Sequence, residues 1–347
     1  MGPELAGRLR GGVVIPAHPL ALTDAGDPDL TAQRALTRYY VEAGAHGVAV
    51  GVHTTQFPLH SDRGLLTEVW RLAADTVAAA GRDTLLVAGI CGDVTDAVQE
   101  AEDAAQIGYD AALLSPWGMA EVTDKALLER ARAVGEILPT IGFYLQESVG
   151  GRRLARTFWQ DLFDIETVVA VKSAPFDRYR SNDVVQALLE HDRWNDVAVL
   201  TGNDDAIVHD LVTPSRRVVH GQAREIRMSG GLLGQWAVGT RAAVTLVAEA
   251  CAARDTGAVP TSLLAGATDL VEINAAVFDV DHGFAGCVTG VNEVLRQQGL
   301  LRSARCLVPS ERLSPGQREK IAAVRSMYPG WLDEEFVARH RGRWLSS

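Results

Sequence analysis

The feature that most restricts the fold is a strict alternation, through the first two thirds of the chain, of short apolar runs with longer amphipathic, alanine-rich stretches. The apolar runs lie at 12–15, 47–51, 85–90, 111–115, 140–144, 168–172, 197–201 and 225–229. The sixth is β-branched without any alternation of polarity, the pattern of a strand covered on both faces in a parallel sheet. Helix-like stretches separate the runs at 30–43, 64–80, 94–107, 123–138, 153–162, 182–191 and 204–211. Eight such units, each about 25 to 30 residues long, predict an α/β chain folded as a (β/α)8 TIM barrel. A doubly wound sheet is the other arrangement of β/α units, but no GxGxxG follows the first strand. Thr123-Asp124 and Asn203-Asp204 supply side-chain oxygens for the free N–H groups that open two of the helices.

From about Gly239 the strand signal stops, and 240–254, 267–277, 284–298 and 315–327 read as helices broken by Gly and Pro. The expected organisation is a barrel over 1–245 and a small C-terminal helical extension over 246–347, packed on it. Trp331 and Trp344 are expected to pack on the barrel or on another subunit.

Charge and composition narrow the function. A net charge of −11 argues against a nucleic-acid surface. The longest apolar stretches are strand-length and interrupted, so no membrane-spanning helix is expected. Residues 1–10 lack the apolar run of a signal peptide, which predicts a cytoplasmic protein. Cys91, Cys251, Cys287 and Cys306 are scattered, with no CxxC pair, and fit reduced thiols better than a disulfide frame or a structural zinc site.

In a barrel the chemistry lies at the carboxyl ends of the strands. Read in order, that rim is His18, His53, Cys91, Ser115, Tyr144, Lys172, Gly202-Asn203-Asp204-Asp205 and Ser229-Gly230-Gly231. Lys172 stands out because the chain has three lysines against 30 arginines. An ammonium at the end of a buried strand is desolvated, its pKa falls, and the neutral amine is a Schiff-base nucleophile. The alternative is a lysine that snorkels to solvent or pairs with a carboxylate. Neighbouring strand ends lie ~5 Å apart, so Tyr144 is expected to converge with Lys172 and shuttle protons. Its other reading is a half-buried aromatic bonded to backbone.

These segments, Ala45–Pro58, Ala112–Trp117, Gly142–Tyr144, Val169–Lys172 and Leu200–Asp205, resemble in order and spacing the dihydrodipicolinate synthase/N-acetylneuraminate lyase family. The resemblance covers about residues 10 to 330. It implies a class I aldolase, lyase, synthase or hydratase without a cofactor, usually tetrameric, that forms a lysine imine with pyruvate or another 2-oxo acid. It also makes Lys172 the imine lysine and Tyr144 the proton relay. A second carbonyl compound and a homodimer or homotetramer are the partners it implies.

Departures from the family's pattern redirect the expectation. Gly51-Val52-His53-Thr54-Thr55 replaces the family's Gly-Thr-Thr-Gly-Glu; Val52 cannot relay a proton, and either His53 or the pair Thr54/Thr55 is left to hold the carboxylate. Leu145-Gln146-Glu147-Ser148-Val149 lacks the arginine of Asn-Val-Pro-x-Arg, which argues against dihydrodipicolinate synthesis itself. Gly202, Asp204, Ser229 and Gly230 are the remaining candidates for contact with substrate. Two other readings stay open: a metal-dependent aldolase using His18, His53 and Asp204, and a ligand-binding paralogue without turnover.

Overall fold

The computed structural model describes residues 2–346. Seven of its barrel strands fall on the predicted runs: β1 (Val13–Pro16), β2 (Gly47–Val50), β3 (Leu85–Ile90), β4 (Ala111–Leu114), β5 (Thr140–Leu145), β6 (Val168–Ala174) and β7 (Ala198–Thr201). The eighth does not. Ser215–Val219 (β8) and Gln222–Ile226 (β9) form an antiparallel hairpin outside the barrel, turning at His220 and Gly221, both with positive φ. The eighth barrel strand is the following segment, Gly230–Leu233 (β10), wedged in parallel between β1 and β7. Its glycines are needed there. A Cβ on Gly230 would lie 2.0 Å from the Val13 carbonyl oxygen, and one on Gly231 would lie 2.6 Å from that of Thr201.

All eight barrel strands are parallel, and β1 closes against β2 through His18 N–H to Ala49 O (2.8 Å) and His46 N–H to Val14 O (2.9 Å). The chain is therefore a (β/α)8 barrel. Its outer ring is α2 (Leu30–Ala43), α3 (Arg63–Ala80), α4 (Val94–Ile107), α5 (Asp124–Gly135), α6 (Arg156–Phe163), α7 (Arg178–Glu190), α8 (Ile207–Val212) and α9 (Thr240–Thr256), while α1 (Gly2–Arg10) precedes the barrel. Thr123 caps α5 as predicted, accepting from Ala126 N–H. Asn203-Asp204 does not cap α8, which starts three residues after Asp204 with Ala206 in the N-cap position, and this leaves Asp204 free for another role.

Side chains alternate along each strand and sort into two layers. Inward positions such as Ile15, Val87, Leu113, Ile141, Ala170 and Leu232 form the barrel's interior, and Leu5, Ala6 and Leu9 of α1 close its amino end. Outward positions pack under the helices in a larger cluster that also takes in the C-terminal helices. These are α10 (Thr261–Val277), α11 (Cys287–Gln297), α12 (Gln317–Met327) and α13 (Glu334–Leu345). The expected boundary between 245 and 246 falls inside α9. Trp344 is buried against Tyr39 of α2, and Trp331 lies against Gly266, so both pack within this chain. Asp333 fixes the last helix by accepting from the Tyr39 hydroxyl (2.6 Å) and from Arg241 N–H (2.7 Å). Among the described residues no helix is long and apolar enough to cross a membrane.

Candidate active site

Lys172 projects inward from β6, 8% exposed, and its stem crosses the residue after β7. Only glycine fits there, since a Cβ on Gly202 would lie 2.6 Å from the lysine Cε. The amine sits 4.4 Å over the ring of Phe143 and has no hydrogen bond or ion pair among the described residues. Burial draws its pKa down to about 8, and the pull of the Asp204 carboxylate opposes that shift. Asp204 is buried too. Burial lifts its pKa to about 7, while the Gln235 N–H, which donates to its Oδ1 at 3.1 Å, and the charge of Lys172 draw it down. Asn274 of α10 donates to the Asp204 backbone oxygen at 2.6 Å and so anchors this turn to the extension.

His53 opens a short 3-10 turn after β2, its backbone oxygen accepting from Gln56 N–H, and its imidazole makes no hydrogen bond among the described residues. Burial first, and the nearby Lys172 second, hold its pKa down at about 4, so it presents a neutral imidazole. It lines a cavity of about 250 Å³ with Phe57, Trp117, Phe284, Cys287 and Glu311. The 3-10 turn is held from behind by a buried pair. His60 donates to Gly51 O and to Glu100, each at 2.7 Å, and Glu100 accepts from Cys91 N–H. Burial alone would lower the His60 pKa; Cys91 and Glu100 instead hold it well above the usual histidine value, and both ring nitrogens donate.

The structure brings together only some of the predicted residues. Lys172, Asp204, Gly202 and His53 converge at the carboxyl end. Tyr144 does not. In the sheet Phe143 pairs with Lys172 and Tyr144 with Ser173, so strand alternation turns the tyrosine outward. It packs on Trp159 of α6 (5.1 Å), and its hydroxyl accepts from Leu154 N–H. Phe143 takes the place expected of the phenol. Thr54 donates to Ala17 O (2.8 Å) and Thr55 to His18 O (2.6 Å), so both hydroxyls stitch β2 to β1. Ser229 and Gly230 lie at the opposite end of the barrel, where Gly230 pairs with the first residue of β1; that displacement follows from the misplaced eighth strand.

His18 is buried facing α2, bonded to Pro19 O and Thr37 Oγ1, and does not join His53 and Asp204. The three-residue metal set therefore does not assemble. Ser115 accepts from Trp117 N–H and shapes its loop. Asp205 is exposed beyond the site. Gln235, Asn274, Phe284, Cys287 and Glu311 were not foreseen. They come from the segment after the shifted strand and from the extension, and no motif marks them.

A family model described as the dihydrodipicolinate synthetase family matches residues 12–216. No curated protein sequence matches the chain significantly. Among solved structures, dihydrodipicolinate synthase from Oceanobacillus iheyensis superposes with a TM-score of 0.75 at 17% identity, covering 95% of this chain and 99% of that one. A prophage protein of the dihydrodipicolinic acid synthase family from E. coli K12, in complex with pyruvate, gives 0.74 at 18% identity over 91% of this chain and 98% of that one. N-acetylneuraminate lyase from Fusobacterium nucleatum gives 0.71 at 14% identity over 92% and 99%. At these identities the superpositions speak for the fold, and the family match speaks for descent: this chain belongs to the dihydrodipicolinate synthetase family.

Proposed function

We propose that the chain is a class I aldolase or lyase that forms a Schiff base between Lys172 and pyruvate or a related 2-oxo acid. The observation that carries this reading is a buried amine without a protein partner, at the carboxyl end of a barrel strand, with its pKa lowered to about 8. Burial draws the amine down and the Asp204 carboxyl up, toward one another, which eases passage of the proton from Lys172 to Asp204. The neutral amine adds to C2 of the 2-oxo acid, and the carbinolamine oxygen takes a proton and leaves as water. Asp204 is the acid supplied for that step. The protonated imine then draws electrons from C3 when a proton or a carbon substituent leaves it, and the enamine adds to a second carbonyl in the reverse direction. The His53 imidazole, neutral and without a hydrogen-bond partner among the described residues, donates to the substrate carboxylate.

Dihydrodipicolinate synthesis itself is not the reaction we propose, because no arginine follows β5 in the required place; Arg152 is held by Val122 O and Asp124. The pairing of Phe143 with Lys172 and the aromatic wall of Trp117 and Phe57 favour a larger second substrate.

One observation favours ligand binding without turnover. The hydroxyl of Tyr144 is turned away and Val52 stands where the family has threonine, which removes the usual relay. Exchange of the pyruvate methyl protons in deuterated water separates the two readings without knowledge of the second substrate. The aldolase reading expects exchange that disappears in Lys172→Ala. Absence of exchange, with thermal stabilisation by pyruvate that survives Lys172→Ala, would establish the binding protein instead. A dimer or tetramer and a cytoplasmic location are part of the same proposal.

A further inference from the structure

Cationic groups suited to a second anionic function are concentrated away from the strand ends. Between Arg296 and Arg318 the chain carries five arginines against one acid, Glu311, although its net charge is −11. All five line one cavity of about 490 Å³ in the extension, together with Asp24, Glu293 and Glu311. Five positive charges against three negative leave an excess of two. This cavity and the one lined by His53 share Thr289 and Glu311 as walls, so one opens beside the other.

The arginines are not equally engaged. Arg296 forks onto Glu293 at 2.7 Å through two nitrogens, and Arg318 reaches the same buried carboxylate at 3.4 Å. Arg302 touches Asp29 at 3.3 Å from a side chain that is 73% exposed. Arg305 donates to the backbone oxygen of Asp24, which leaves its charge uncompensated. Arg312 is exposed and has no hydrogen-bond or ion-pair partner among the described residues. A guanidinium that ends on a carbonyl or in solvent keeps its charge and its planar fork, the geometry that suits carboxylates and phosphates.

We propose that this arginine-lined cavity binds the anionic end, a carboxylate or a phosphate ester, of the carbonyl compound that joins or leaves the 2-oxo acid, with Arg305 and Arg312 as its chief contacts. Glu311 on the shared wall sets the orientation: the anion is held on the arginine side and the carbonyl points toward His53. The identity of the ligand as a carbonyl substrate rests on the aldolase reading above; the capacity to bind an anion does not.

Calorimetric titration of the full chain with inorganic phosphate and, separately, with succinate tests the site without any turnover. Binding is expected in the native chain and in Lys172→Ala. Affinity should fall about tenfold in Arg312→Ala, the loss of one charge-assisted hydrogen bond. The stronger of the two probes identifies the anion. Aldol addition of pyruvate to succinic semialdehyde, to glyceraldehyde 3-phosphate and to neutral butanal gives a second readout. Arg312→Ala should raise KM for the charged aldehyde by about tenfold and leave that for butanal in place. No binding of either anion, or affinities unchanged in Arg312→Ala, would overturn the proposal. Anion binding that is weakened in Arg312→Ala, with no turnover of any aldehyde, would uphold the site and sink the aldolase reading alone.

Discussion

The two ends of the barrel are built from the same strands and treat buried groups in opposite ways. At the amino end Leu5, Ala6 and Leu9 of α1 close the interior over Val13, Ile15 and Leu85 in an apolar plug. At the carboxyl end the buried amine of Lys172 and carboxyl of Asp204 and the half-buried imidazole of His53 lie near one another with few compensating bonds. Desolvating such groups costs free energy that packing elsewhere must offset. The amino end secures the fold and the carboxyl end holds groups whose burial makes them reactive. Substitutions at the two ends should therefore act on different observables.

The largest effect should come from Gly202→Ala. Its Cβ would press on both Lys172 and Ala174 at 2.6 Å, so pyruvate proton exchange should be lost while the fold remains by circular dichroism. At the other end Leu9→Ala should cost about 2–5 kcal/mol of stability in denaturant titration and leave the exchange rate per folded molecule alone. Asp204→Asn removes the acid beside Lys172, and exchange should slow about 100-fold, within the range of general acid catalysis. An unchanged rate would take Asp204 out of the proton path.

Lys172→Met should abolish exchange and yet raise stability at neutral pH by ~1–2 kcal/mol, because a buried charge is removed. The sign with pH follows from the lowered pKa. Between about 8 and the ordinary lysine value near 10.5 the unfolded chain holds a proton that the fold does not. The fold gains stability as pH rises through that window, so the advantage of Lys172→Met should shrink toward pH 10.5. The exchange rate should follow a bell, highest between about pH 7 and 8 where the Lys172–Asp204 pair holds a single proton, and fall on either side. The smallest effect should be that of Tyr144→Phe: exchange within about twofold of native, and a stability loss of ~1 kcal/mol for the hydrogen bond from Leu154. A large loss of exchange would show that the phenol reaches Lys172 after all.

The barrel was legible in the sequence because burial on two faces writes continuous apolar runs, and seven of the eight strands lie on them. The eighth was misread for a physical reason. Gly230 and Gly231 are required by close backbone contacts and lack the β-branched signature, whereas the exposed arm Gln222–Ile226 alternates like a strand. Ser229 and Gly230 were carried to the wrong end by that error. Lys172 was legible as a charge at the end of an apolar strand, and Asp204 from its neighbourhood with Gly202. Which way Tyr144 faces was not, because inward or outward depends on the pairing of Phe143 with Lys172, and register is a property of two strands together. The contacts of Gln235, Asn274 and Glu311 depend on how the extension folds back, which local sequence does not record.

The central claim is that Lys172 is a neutral nucleophile inside the barrel mouth. Borohydride reduction in the presence of pyruvate, followed by peptide mapping, tests it directly, since Lys125 and Lys320 are the only other side-chain amines. A reduced adduct on Lys172 and on neither of the other two, forming fastest between about pH 7 and 8, is the predicted result. An unmodified Lys172 under saturating pyruvate, or equal labelling of all three lysines, would contradict it.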